Sequence, residues 1–297
     1  MAGLIRTSDE VRAALADGRP VVALETSVLA QGLPPPRNLE AMDAMSRAIR
    51  SAGAVPAWIA VAGGAVRIGL DDATARELAI PGRAVKVAHR DVAPALAAGA
   101  LGATTVSATL WAAHRAGIAV MATGGIGGVH RGGADVSADL AELARTPGLL
   151  VCSGPKSIVD AEATLERLEE LGVAVVGYGT DRLPAFVSRL TDLSLEHRVD
   201  SPEEGAAVAR AGAELGASVL LCNPVPEAHA LTLDRVEAAV EACEARADRE
   251  RITGKARTPF LLACLARETD GASLEANLAL LESNASLAAQ VSAALAS

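Results

Sequence analysis

The sequence predicts an α/β fold: a single three-layer α/β/α domain over residues 1–297, built on a mostly parallel, mixed central sheet. Three observations lead there. Short β-branched runs recur between helical stretches, at Val21 to Leu24, Trp58 to Val61, Val85 to Ala88, Ile118 to Met121, Leu149 to Cys152, Val173 to Val176 and Val219 to Cys222. Each run is apolar on both faces, the pattern of strands covered by helices on either side. The chain is also 51% hydrophobic over 297 residues, which supplies a large core and excludes a disordered chain.

Taken in order, the first strands make the sheet mixed. Ala57 to Ala62 and Ala65 to Ile68 are separated only by Gly63 and Gly64, which reads as a hairpin. From Val92 to Ala113, 22 residues carry no formal charge, a length that by itself reaches across a bilayer. Pro94, Gly99, Gly102, Thr104, Thr105, Ser107 and Thr109 dilute that run, and its middle reads as a turn between two short helices. A helix from Ser157 to Leu171 follows the Leu149 strand. Ser201-Pro202-Glu203-Glu204 starts another, with a serine cap, proline at the first helical position and glutamate three residues after the cap. Beyond Thr258 the chain reads as helical, from Pro259 to Arg267 and from Ser273 to about Leu295. No linker-like shift in composition and no repeat interrupts it, so one domain is expected.

Composition excludes several functions. The formal charge is −9, and the five aromatic residues (2 Trp, 1 Tyr, 2 Phe) are scattered singly. Neither a basic surface nor a stacking platform for nucleic acid is present. Cys152, Cys222, Cys243 and Cys264 form no CxxC pair and sit in or beside apolar runs, so they read as buried free thiols in a reducing cytosol. Arg6 and Asp9 come before any apolar stretch of signal-peptide length. A cytoplasmic protein without membrane or nucleic-acid partners is expected.

The lysine count directs attention to chemistry. Among 27 basic residues only Lys86, Lys156 and Lys255 are lysines. Arginine cannot lose its proton to become a nucleophile, whereas a lysine amine can; the alternative is that three surface lysines survive by chance. Lys156 follows the strand ending at Cys152, on the sheet edge where open α/β folds bind ligands, and it precedes a predicted helix whose dipole disfavours the ammonium form. Lys86 sits among apolar neighbours in Ala84-Val85-Lys86-Val87-Ala88, so its charge needs an anionic partner or ligand. Lys255, in RITGKART, reads as an ordinary loop cation. Glu25 ends the Val21 strand and is a candidate general acid, or else a carboxylate capping the next loop.

The glycine-rich segment Thr123 to Gly133 matches neither dinucleotide nor P-loop spacing. Its backbone N–H groups beside His130 and Arg131 offer a phosphate cradle. In Asp135-Val136-Ser137-Ala138-Asp139, Ser137 reads as a helix cap. Its two carboxylates either compensate the helix dipole or hold a hard divalent ion through waters. His89, His114, His197 and His229 show no metal-ligand spacing and read as structural.

Together ALETSVLAQGLPPPRNLE, KVAHRD, GATTVSATL, ATGGIGGVHRG, DVSADL, CSGPKSIVD and TPFLLACL…SLEANLALL resemble the pseudouridine-5'-phosphate glycosidase family, also called indigoidine synthase A-like, from about Thr7 to the C-terminus. The resemblance implies reversible cleavage of the C–C glycosidic bond of pseudouridine 5'-phosphate to uracil and ribose 5-phosphate, with one Mn²⁺ per subunit, in a homotrimer. It implies that Lys156 is the nucleophile, forming an imine with the ring-opened ribose, and that Glu25 is the proton donor. It places the metal on Asp135 through waters. The substrate would meet Lys86, Val106, His130, Ser137, Ala138 and Asp139, with Asn277 approaching the base and Asn284 one heptad further along. The Gly-Gly-Ala stretch between Arg131 and Asp135 is about three residues shorter than the family pattern. An imine-forming aldolase acting on another sugar phosphate uses the same lysine, and a non-catalytic phosphosugar sensor uses the same pocket.

Overall fold

The computed structural model describes residues 3–133 and 135–297. In chain order its strands are β1 (Ile5–Thr7), β2 (Val21–Glu25), β3 (Val55–Ala62), β4 (Ala65–Ile68), β5 (Val85–Val87), β6 (Gly102–Thr104), β7 (Val120–Ala122), β8 (Val129–His130), β9 (Gly148–Cys152), β10 (Val159–Asp160), β11 (Ala174–Tyr178), β12 (His197–Val199) and β13 (Ser218–Cys222). The α-helices are α1 (Asp9–Ala16), α2 (Arg37–Ser51), α3 (Asp72–Leu78), α4 (Val92–Ala97), α5 (Val106–Arg115), α6 (Ala138–Leu143), α7 (Ala161–Glu170), α8 (Pro202–Glu214), α9 (Leu233–Arg249), α10 (Arg257–Glu268) and α11 (Ala272–Ala296).

Among the described residues, eleven strands form one mixed sheet, with the path β1-β4-β3-β2-β7-β9-β13-β11-β12, β6 attached to β3 and β5 attached to β6. From β3 through β12 every neighbouring pair on the path is parallel. The β3–β4 hairpin is antiparallel, as its Gly63-Gly64 turn predicts, and so is β3 with β6. Alternation along the strands divides the core in two. Val22, Leu24, Val120, Ala122, Leu149, Val151, Val219 and Leu221 join one cluster with α2, α8, α9, α10 and α11. Val21, Ala23, Met121, Leu150 and Leu220 join the other with α1, α4, α5, α6 and α7. Apolar side chains on both strand faces need helices on both faces, and the three layers follow. Ser201 accepts from the Glu204 backbone N–H at 3.2 Å, so α8 starts where its sequence says. No described helix is long and apolar enough to cross a membrane.

Three readings change. The middle of Val92 to Ala113 is not a turn but contains β6, because Gly102 lets the strand approach β5: a Cβ there would lie 2.6 Å from Val87 Cγ2. Lys156 does not open a helix. α7 begins at Ala161, capped by Asp160, and the residues between form a turn and β10, which pairs with β8. The cysteines are not all free: Cys243 of α9 is disulfide-bonded to Cys264 of α10, while Cys152 and Cys222 remain buried thiols on adjacent strands. Two helices packed side by side bring together residues 21 apart in sequence, and the pairing removes the cysteine argument for a reducing compartment.

Candidate active site

The strand order reverses at β2. From β2 the chain adds β3 on one side, then returns to place β7 on the other and β9 beyond it. Reversals of this kind leave a crevice at the strands' carboxyl ends. The crevice widens because β2 stops at Glu25, opposite Ile59, and β6 continues along the same edge of β3 opposite Ala60 and Val61. Threonines close the seam: Thr26 Oγ1 and Thr104 Oγ1 donate to the Ile59 carbonyl at 2.7 and 2.6 Å, and the Thr104 N–H donates to Thr26 Oγ1 at 3.0 Å. Glu25 is thus fixed at the crevice floor, 5% exposed, with its two oxygens accepting from the hydroxyls of Thr123 and Ser27. Nothing in the sequence marks Thr123 or Ser27 as partners of Glu25; the contact with Thr123 spans 98 residues.

Lys156 reaches the same crevice through the glycine-rich segment. Ser153 N–H donates to Gly124 O (2.8 Å), Ile126 N–H to Gly154 O (3.1 Å) and Lys156 N–H to Ile126 O (3.0 Å), which zips the two loops together. The zip requires glycine at 125, where a Cβ would lie 2.9 Å from the Gly154 carbonyl oxygen and 2.7 Å from the Phe186 ring. β8 and β10 continue it, placing His130 opposite Val159. The expected phosphate cradle is therefore only partly available. The Ile126 amide is spent in the zip, the Gly127 amide donates to Asp139 and the His130 amide to the Asp135 carbonyl, while Arg131 is exposed and outside the cavity lining. Of the stretch between Arg131 and Asp135, Ala134 lies outside the described residues.

One cavity gathers most of the residues singled out in the sequence: Glu25, Lys86, Val106, His130, Asp135, Ser137, Ala138, Asp139, Lys156 and Asn277 all line it. Their situations differ. Asp139, buried, accepts from the Ser107 N–H at 3.1 Å through one oxygen and from the Gly127 N–H at 3.0 Å through the other, so it ties the start of α5 to the glycine loop. Ser137 caps α6, its hydroxyl accepting from the Asp139 N–H. Thr105 and Val106 bring the N-terminal end of α5 to the cavity wall, a favourable place for an anion.

Burial pushes the Lys86 ammonium's pKa down, and the neighbouring charge of Lys156 pushes the same way. Burial likewise lowers the pKa of His130, whose Nδ1 has no hydrogen-bond partner. Asn277 faces the cavity. Asn284 is fully buried and spends its amide on the Thr123 carbonyl (2.9 Å) and the Ser153 hydroxyl (3.1 Å), so of the two asparagines only Asn277 lines the cavity. Lys255 is a loop cation as read, exposed between α9 and α10, but it lines the cavity too, with Nζ 2.9 Å from Asp91 Oδ2. The lysine count already held that signal, since all three lysines of the chain converge here.

For a metal ion the donor set is sparse. The described residues contain no group of three or more His, Cys, Asp or Glu able to hold one. Asp135 is exposed on the cavity rim and makes no ion pair among the described residues. A single hard carboxylate open to solvent fits an ion that keeps most of its waters.

Residues 10–294 match the family model described as indigoidine synthase A like protein. A pseudouridine-5'-phosphate glycosidase from Streptomyces griseus is 53% identical over 299 residues, covering 97% of this chain and 91% of that protein. One from Myxococcus xanthus is 51% identical, covering 98% of each. Among solved structures, the prealnumycin C-glycosynthase AlnA in complex with ribulose 5-phosphate is 42% identical, with a TM-score of 0.91 over 100% of this chain and 98% of that one. An indigoidine synthase A-like protein from Thermotoga maritima is 36% identical, with a TM-score of 0.91 over 99% and 97%.

Proposed function

The chain belongs to the indigoidine synthase A-like family, and from that premise we propose that it reversibly cleaves the C–C glycosidic bond of pseudouridine 5'-phosphate, giving uracil and ribose 5-phosphate through an imine on Lys156. The observation that carries this reading is the meeting of Glu25 and Lys156 in one cavity with two further lysines. Relatives bearing the glycosidase name, and the ribulose 5-phosphate held by a solved relative, support a phosphosugar substrate.

The chemistry explains the residue types. A carbon leaving group has no lone pair to protonate, so paired carboxylates of the ordinary glycosidase kind are insufficient. A neutral lysine amine provides another route. The Lys156 nitrogen attacks C1', the C1'–O4' bond breaks, and O4' takes the proton from Glu25. The alkylated nitrogen returns a proton to the Glu25 carboxylate, and its freed lone pair drives cleavage of the bond between C1' and uracil C5, which takes the bonding pair and the proton from Glu25, leaving C1' as the lysine iminium. Water releases ribose 5-phosphate. The hydroxyls of Ser27 and Thr123 orient Glu25 for its proton transfer. Lys86 and the start of α5 hold the phosphate, while Ser137, Ala138 and Asp139 shape the wall and Asn277 meets the base. Mn²⁺, held by Asp135 through waters, would neutralise phosphate charge when bound. The functional assembly on this reading is a homotrimer.

Purified protein incubated with pseudouridine 5'-phosphate and Mn²⁺ should release uracil, quantified by chromatography. Lys156→Ala should lose at least about 10³-fold in rate while melting like wild type. No uracil from folded wild type sinks the reading. Turnover of a sugar phosphate with no nucleobase present, in protein that releases no uracil, would replace it with the aldolase.

A further inference from the structure

Two of the three lysines lining the cavity, Lys86 and Lys156, have a part in the reaction above; the third has none. Lys255 sits on the connection between α9 and α10, and its Nζ lies 2.9 Å from Asp91 Oδ2 and donates to the Lys86 carbonyl at 3.4 Å. It therefore rests on the strand segment that presents Lys86, more than 160 residues away in sequence. We propose that Lys255 is a substrate-phosphate ligand, carried over the cavity by the α9–α10 connection and held by Asp91 until the anion enters. The proposal rests on the phosphorylated substrate inferred above.

Three further features support it. First, the resting ion pair is easy to exchange. The Lys255 side chain is 53% exposed, and solvent-screened pairs of this kind are weak. Asp91 keeps a second partner when the lysine leaves, since its Oδ2 also accepts from the Ala88 N–H at 3.0 Å. Second, the connection is anchored at its base. Arg257, at the start of α10, donates to Glu244 and, at 2.9 Å, to Asp248 of α9, and Cys243–Cys264 joins the same two helices. The lysine is thus presented from a fixed platform, and little ordering cost falls on binding. Third, three lysines line one cavity; burial and then the charge of Lys156 push the Lys86 pKa down, Asp139 and Glu25 push it up, and Lys255 adds a small downward push. A phosphate dianion gains from all three cations at once; a neutral ligand does not.

The test is calorimetric titration of the full chain with ribose 5-phosphate, on wild type, Lys255→Met and Lys255→Arg, with melting midpoints measured alongside. Lys255→Met should weaken binding by about 10- to 100-fold without moving the midpoint, and Lys255→Arg should recover most of the loss. Lys255→Met binding within twofold of wild type overturns the proposal. So does a loss that arginine fails to restore, because a role that is only steric would not follow charge. Wild type that binds ribose 5-phosphate but releases no uracil from pseudouridine 5'-phosphate removes the glycosidase reading and leaves the Lys255 comparison intact. Wild type that binds no ribose 5-phosphate overturns both.

Discussion

The carboxyl edge of the central sheet has two halves built from similar materials and put to different uses. At β2 and β7 the strands end in Glu25 and, one residue beyond, Thr123, and both face the cavity. At β9 and β13 they end in Cys152 and Cys222, followed by Ser153 and Asn223, which are equally polar and equally buried. These strand-end residues are sealed, and Lys156 reaches the cavity only from the loop beyond them. Asn284 of α11 donates to the Thr123 carbonyl and the Ser153 hydroxyl and accepts from Asn223 Nδ2 at 3.0 Å, while the Asn223 N–H donates to the Cys152 carbonyl at 2.7 Å. Strand order explains the contrast. The order turns back at β2 and leaves an opening there, whereas across the ends of β9 and β13 helix α11 lays Asn284 against Ser153 and Asn223 and takes up their polar groups. A polar residue at a strand end becomes chemistry only where the topology leaves room for a ligand; elsewhere the same residue must be hydrogen-bonded into the wall.

Three experiments break or sharpen this contrast. The largest expected effect pairs the two asparagines of α11. Asn284→Ala should cost about 2–3 kcal/mol in urea unfolding, because it strands buried partners on both sides. Asn277→Ala should cost less than about 1 kcal/mol and instead raise KM for uracil several-fold in the synthetic direction. Equal destabilisation by both would show the two halves to be alike. A smaller effect belongs to Thr123→Val, which removes one of the two hydroxyls donating to Glu25. It should lower kcat by about tenfold with KM for ribose 5-phosphate unchanged, and Thr123→Ser should restore the rate. A KM change without a kcat change would contradict an orienting role.

The smallest effect is electrostatic. The folded-state pKa of Lys86 is depressed, chiefly by burial. Between that value and the unfolded one the unfolded chain binds more protons, so stability rises with pH across the window. Below the folded pKa the burial penalty is present in full, and above the unfolded pKa, near 10.4, it is gone. Wild type should therefore gain stability relative to Lys86→Met as pH climbs towards that value in chemical unfolding. A difference that is flat or falls with pH would mean that Lys86 is not charged in a desolvated place.

Much of the fold was legible because its cause is local. Runs such as Val21 to Leu24 and Val219 to Cys222 are apolar at consecutive positions, and only a strand covered on both faces satisfies that pattern. The Ser201 cap and the Gly63-Gly64 hairpin are equally short-range signals. The two- and three-residue strands β6, β8 and β10 were not legible, since they are too short to show a period and exist because a partner strand is already in place. That is also why the sequence around Lys156 reads as a helix start: its loop is held by the glycine segment, not by α7.

The site divides along the same line. Glu25 and Lys156 stand out from the sequence because each lies at or just beyond the end of a readable strand, and the scarcity of lysine directs attention to three residues that line one cavity. The sequence by itself determined the α/β layering, the strand-end positions of the carboxylate and the amine, and the family. Only the tertiary structure decided that Thr123 and Ser27 hold Glu25, that Asn277 faces the cavity while Asn284 seals the wall, that Cys243 pairs with Cys264, and that Lys255 belongs to the site. The physical reason is range. Layering follows from the hydrophobic pattern of neighbouring residues, whereas contacts such as Thr123 to Glu25 or Lys255 to Asp91 join chain segments with no local signature, and they exist only once the sheet has reversed its order and opened a crevice between them.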